Sequence, residues 1–265
     1  MAKLGLKVIG EEGNIKAEMW EENEVILVYN EAYEEGDKIV FTTDEPEKLY
    51  VISVDDAIGK ALVYVADEEI KYTIPFGEKK VCYSPNSFAG NLHCISARCA
   101  WDWEVHSYRN MAVNPMDQHR DSGCFPHAFA NVETRGESVF AARNAIDGNH
   151  TNKSHGEWPY GSWGINRRAD AEIVVAFGRE IVADRVIIYT RADFPHDSWW
   201  THATLEFSDE TEMEIELTKT CHAQEFKISP QKHISWVKMK NMIKADDESP
   251  FPALTQIEVY GKEII

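Results

Sequence analysis

The sequence predicts an all-β protein built as two β-sandwiches, and three observations carry that prediction. Apolar runs of four to eight residues, rich in Val, Ile, Tyr and Phe, recur along the whole chain. Clusters of Gly, Asn, Asp and Pro separate them at short intervals, as strand-connecting turns require. Helical periodicity is scarce. With 43% hydrophobic residues among 265, the chain has enough apolar material for a core, and its length suits two domains of ordinary size.

The first strands are expected at residues 4–9, 15–20, 25–29, 38–42, 49–54, 61–65 and 70–74. Glu11-Glu12-Gly13-Asn14, Glu34-Glu35-Gly36-Asp37 and Asp44-Glu45-Pro46 supply turns between them. Strands this short and closely spaced predict a compact sandwich of their own. It carries no chemical motif. Residues 75–105 read as a connection punctuated by Pro75, Gly77, Pro85 and Gly90, with one strand from Cys94 to Trp103. The domains therefore fall at 1–104 and 105–265. In the second, strands are expected at 171–177, 184–190, 203–207, 212–217, 224–228, 236–240 and 256–260. Arg185-Val186-Ile187-Ile188-Tyr189 is apolar on both faces, which suits an inner strand.

Charge narrows the partners. Against 27 Lys and Arg stand 45 Asp and Glu, a formal charge of −18, which repels phosphate backbones and anionic membrane surfaces. A neutral ligand meets no such penalty. No stretch reaches the roughly 18 apolar residues of a membrane helix. The opening Met1-Ala2-Lys3-Leu4-Gly5-Leu6 does not read as a secretory signal. Cys82, Cys94, Cys99, Cys124 and Cys221 are odd in number and lack zinc-knuckle spacing. Free thiols in a reducing compartment, hence a cytoplasmic location, are expected; a secreted protein with its leader removed is the alternative.

Two separated motifs frame the second half: Ala145-Ile146-Asp147-Gly148-Asn149 and Ile257-Glu258-Val259-Tyr260-Gly261. Tyr108 to Pro115, Ile173 to Gly178 and Asp184 to Val186, followed by Leu205 to Asp209, lie between and before them in order. Over most of positions 108–261 this pattern resembles the discoidin (F5/8 type C) family, whose galactose-binding-like jelly roll includes family 32-type carbohydrate-binding modules. The resemblance implies a discoidin-like jelly roll and non-catalytic carbohydrate binding. It also implies one structural calcium ion at the Asp-Gly-Asn turn, with the carbonyls of Asn144, Asn149 and Thr255 and the side chain of Asp147 as ligands. The family's further Thr and Glu ligands are here Asn152 and Gln256, so a charge is lost and affinity should fall. The alternative is an Asx-turn without metal, in which Asp147 caps backbone N–H groups.

Two loop-like segments, 155–166 and 190–200, hold four of the chain's eight tryptophans among Gly and Pro. A sugar site needs an apolar platform rimmed by directional hydrogen-bonding groups. Trp158, Arg191, Asp193, His196 and Trp199 offer that mix and are the candidate ligand contacts, with Asp197 beside them. At least one of Trp163 and Trp200 is expected to plug the core instead, and Arg191 to Asp193 is an alternative internal ion pair. The loop 244–252 enters the last strand, where Asp246 or Phe251 is a further contributor. Carbohydrate is thus the expected partner, with homo-oligomerisation left open. The second function read from the same aromatic loops is a protein–protein or assembly module. Third stands a metal-dependent hydrolase built from His119, His127 and Asp121; no HExxH, GxSxG or phosphate-loop motif supports it.

Overall fold

The computed structural model describes residues 1–120, 123–154, 156–192 and 197–264. The N-terminal unit opens with β1 (Lys3–Ile9), β2 (Ile15–Glu22), β3 (Glu24–Tyr29), β4 (Lys38–Thr43), β5 (Lys48–Ser53), β6 (Ala61–Val65) and β7 (Glu69–Thr73). β8 (His93–Cys99) follows, then a single helical turn, α1 (Asp102–Val105). The second unit contributes β9 (Arg109–Asn110), β10 (Cys124–Phe125), β11 (His127–Ala130), β12 (Trp163–Gly164), β13 (Ile173–Thr190), β14 (Trp200–Phe207), β15 (Glu212–Glu216), β16 (Gln224–Lys244) and β17 (Ala253–Glu263). The expected all-β class with two sandwiches is what the structure shows.

In the first sandwich a sheet ordered β2-β1-β4-β7 faces one ordered β10-β6-β5-β8-β3. Alternation does the sorting: Val25, Leu27 and Tyr29 of β3 point inward, while Ile26 and Val28 point out. β8 completes this sheet, so the strand expected at 94–103 belongs to the first unit and ends at Cys99. Beyond it, α1 is held by Glu104, whose carboxylate takes a bidentate bond from Arg98 (2.7 and 2.7 Å) and one from the Trp101 N–H. The Arg98 bond draws the Glu104 carboxyl below its ordinary value against the opposing effect of burial. A lowered folded pKa means that this stability is complete above the unfolded value near 4.5 and is lost as acid titrates the group. Glu104→Gln is expected to cost about 1–2 kcal/mol at pH 7. In thermal melts the gap to wild type should close near pH 3; an equal gap at both pH values would refute the ion pair's contribution.

The second unit is one antiparallel sheet ordered β12-β17-β13-β16-β14-β15, with β11 on β13 and β9 on β17. β13 and β16 are long, 18 and 21 residues. The sequence predicts two strands for each. In β13 the register shifts between Ala176 and Ile181. There Gly178 sits at φ +70, and a Cβ on it would lie 2.4 Å from the Phe125 ring, so only glycine makes the bend. The core inside includes Trp163, Phe177, Trp200, Phe207 and Ile234, all essentially inaccessible.

The two units share a seam. β10 pairs with β6, and Met116, Cys124 and Val139 pack into the first unit's core although they follow α1 in sequence. Glu263 at the end of β17 accepts from Arg109 (2.6 Å) and from both Nε (2.7 Å) and Nη2 of Arg179. The Arg179 guanidinium lies 4.8 Å from the centre of the Tyr64 ring on β6.

Candidate ligand-binding cleft

β13 ends at Thr190, and Arg191 follows it with its N–H on the carbonyl of Ala253, at the start of β17. Its side chain turns inward. Arg191 is 1% exposed; Nε meets Asp197 at 2.8 Å, Nη2 donates to the Ser154 carbonyl at 2.7 Å and Nη1 to that of Tyr160. The guanidinium thus ties the connection before β12 to the loop that carries Arg191 and Asp197, and a buried charge of this kind needs all of those partners.

Around it lies a small cleft of about 130 Å³, walled by residues from the segments 134–140, 162–167 and 250–253 and floored by Arg191 and Asp197. Phe251 is 39% exposed and carries the Arg167 guanidinium 4.6 Å from its ring centre. Asn166 and Arg167 both take positive φ (49° and 62°), held by the Asn166 N–H on Thr134 Oγ1. Two consecutive non-glycine residues in the left-handed region cost energy, and such strain collects where a loop is shaped for use. Ser162 is fully buried in the cleft wall, and its Oγ has no hydrogen-bond partner. Partly exposed Phe251 and the buried Ser162 hydroxyl thus line one cleft.

A larger hollow of about 490 Å³ lies at the seam, lined by Tyr50, Tyr64, Lys48, Arg179 and Glu263 among others. Lys48 is engaged with Glu45 and Arg179 with Glu263, and none of the hollow's lining atoms is a buried orphan. The smaller cleft is the better-equipped site.

Of the sequence-predicted contacts, Arg191 lines this cleft. Trp158 is 44% exposed but donates its backbone N–H to Val81, on the side facing the first unit. Trp199 is half-buried, with its carbonyl on the Ala245 N–H. Neither ring is among the lining residues. Asp193 and His196 lie outside the described residues. Trp163 and Trp200 are both buried core plugs, the former donating Nε1–H to the Val132 carbonyl. Thr134, Phe140 and Arg167 escape the sequence argument, while Ser162 and Ile165 fall inside the 155–166 segment without being singled out as contacts. No periodicity marks a 3₁₀ loop, although Asn166-Arg167 beside Trp163-Gly164 is a turn signal.

The predicted metal ligands gather around the Asp147 turn. Gln256 Nε2 donates to the Asn144 carbonyl (2.5 Å) and to Asp147 Oδ1 (2.7 Å), while Gln256 Oε1 accepts the Gly148 N–H (3.0 Å). Asp147 Oδ1 also takes the Asn149 N–H, and Asn149 bonds Thr151 and the Pro159 carbonyl. Burial pushes the Asp147 carboxyl above the usual carboxylate range, opposed by the Arg143 guanidinium, the Asn149 N–H and Gln256. Thr255 Oγ1 and the Asn152 carboxamide are buried without partners. Two of the oxygens a cation would use thus already accept from the Gln256 N–H donors.

Among the described residues the candidate histidines do not converge. His127 is buried on Asp117 (2.8 Å), and exposed His119 faces Glu133 at 3.4 Å. Asp121 lies outside the described residues. Among the described residues no three His, Cys, Asp or Glu side chains form a metal-binding group.

No family model matches the chain, and no curated protein matches it. Solved structures similar to it include a family 32 carbohydrate-binding module of C. perfringens NanJ, in complex with galactose (18% identity, 50% of this chain, 91% of that chain, TM-score 0.39). Chitosan-binding module 1 of a chitosanase/glucanase from Paenibacillus sp. IK-5 is another (18%, 58% and 99%, TM-score 0.39). A third is a Streptococcus pneumoniae fucose binding module, SpX-3 (13%, 58% and 99%, TM-score 0.40). Likeness at this level carries no argument about this chain's ligand.

Proposed function

We propose that the second unit binds carbohydrate, without catalysis, at the cleft beside Arg191. The observation that carries this reading is the buried, unpartnered Ser162 hydroxyl in the same cleft as the exposed Phe251 ring. An apolar plate and a free hydrogen-bonding group are what a sugar ring presents its C–H face and hydroxyls to. The motif order of the sequence supports the same function. Arg191 acts from beneath by holding the loops; of the contacts proposed from the sequence, Trp158 and Trp199 act beyond the lining of the cleft, and Asp193 and His196 contribute as hydrogen-bonding groups. An affinity on the order of 0.1–1 mM suits so shallow a site.

The test is a glycan array with the full chain, followed by titration of any hit. Ser162→Ala and Phe251→Ala should each weaken binding about tenfold, as loss of one good contact does. Ser162→Ala should leave the melting temperature unchanged, because its hydroxyl bonds nothing. No bound glycan, together with a concentration-dependent dimer abolished by Trp199→Ala, would replace this reading with the assembly function. A cytoplasmic location is proposed with it from the five cysteines; a native disulfide found by non-reducing mass spectrometry would overturn that.

A further inference from the structure

We propose that the Gln256 carboxamide is a built-in replacement for a cation, cross-linking the Asp147 turn to the last strand so that the fold is independent of calcium. The inference does not depend on what the cleft binds. Its first support is directional. The Gly148 N–H reaches the Gln256 side chain at 3.0 Å and requires an acceptor there, so the oxygen of the amide faces Gly148. The NH₂ group must then face the other way, where it finds the Asn144 carbonyl at 2.5 Å and Asp147 Oδ1 at 2.7 Å. Each of its two hydrogens has one oxygen. A rotated amide would set an oxygen against two oxygens and an N–H against an N–H, and would be unfavourable at every contact.

The second support is the role these bonds fill. Oxygen from Asn144 and from Asp147 converges on one point, as around a hard cation, whose ligand shell is oxygen at about 2.3–2.6 Å. Here that point is occupied by a nitrogen carrying two protons, from a residue 2% exposed on β17. The neighbouring Arg143 guanidinium offsets the Asp147 carboxylate. Convergent oxygens, a donor at their focus and a nearby positive charge supply both the geometry and the charge compensation for which an ion would otherwise be needed. The side chain also joins residues 109 positions apart, so it closes the unit's chain from turn to final strand.

Thermal unfolding of the full chain in EDTA and in about 5 mM calcium chloride tests this. Wild type should melt within about 1 °C of the same temperature in both, since a ligand stabilises only what binds it. The Gln256→Glu substitution sets a carboxylate against Asp147 and the Asn144 carbonyl, so this variant should melt about 5–10 °C lower in EDTA and recover in calcium. Gln256→Met, which lacks both the donors and the charge, should melt lower by a similar amount and not respond to calcium. A wild-type melting temperature raised several degrees by calcium would overturn the proposal. So would Gln256→Glu melting as wild type in EDTA, or being equally impaired with and without calcium. If Gln256→Glu does not fold, wild type and Gln256→Met decide.

Discussion

Arg191→Ala is expected to lower the folding stability by about 3–5 kcal/mol, the cost of removing one member of a buried charge pair. The side chain is inaccessible and bonds Asp197, Ser154 and Tyr160. Its loss takes the Arg191 bond from the Asp197 carboxylate, 9% exposed, and leaves two carbonyls without the guanidinium that joined them. In a chain of this size that is a fall in melting temperature on the order of 10 °C. Urea unfolding followed by tryptophan fluorescence reports it, because Trp163 and Trp200 are buried in the same unit. Replacing both partners, Arg191→Met with Asp197→Leu, should recover a large part of the loss, since the buried charge pair is then removed as a whole. A single variant as stable as wild type would show that the guanidinium is not what holds the loops. The consequence for function is practical: loss of glycan binding in Arg191→Ala would not distinguish a missing contact from a displaced cleft, whereas Ser162→Ala and Phe251→Ala leave that anchor in place.

This residue also shows where sequence reading stops. Arg191, after a predicted strand and among Gly, Pro and Trp, has the composition of a binding loop. The same composition serves a loop that packs on itself, and only the third dimension gives Arg191 the Asp197 partner. Strands were legible wherever alternation is clean: the stretch predicted at 61–65 is β6, and that predicted at 25–29 is β3 less its first residue. The long strands were not, because Gly178-Arg179-Glu180 and Ser229-Pro230-Gln231 carry turn chemistry, yet here bend a strand without ending it. β9, β10 and β12 have two residues each, too few for any period. At the Asp147 turn the sequence identified the participants and the departure at Gln256. It did not show that the amide places its N–H groups on the oxygens, because that orientation is set by the Gly148 N–H, which only the fold brings into reach.

Arg143→Ala should be comparably costly, about 3–5 kcal/mol, and its effect should extend across the seam. Arg143 precedes the Asp147 turn and is 6% exposed. Nε donates to the Asp117 carbonyl (2.8 Å), Nη2 to that of Pro115 (2.9 Å) and Nη1 to Asn144 Oδ1 (3.0 Å). Its guanidinium also lies 4.6 Å from the ring centre of Tyr83, which is buried in the first unit's core. One planar group therefore fixes the segment that leads into β10 and β11, positions the turn that Gln256 closes, and presses on the neighbouring core. Arg143→Lys should recover little, because an ammonium cannot bond three acceptors in the guanidinium plane while covering a ring. Hydrogen exchange separates this from a local defect. The Tyr83 amide, bonded to the Lys80 carbonyl, and the Asn114 amide, bonded to that of Ile146, should both exchange faster in Arg143→Ala. Faster exchange at Asn114 alone would confine the effect to the second unit and refute coupling through Tyr83. A stability loss below about 1 kcal/mol would show that water replaces the guanidinium's bonds at the seam.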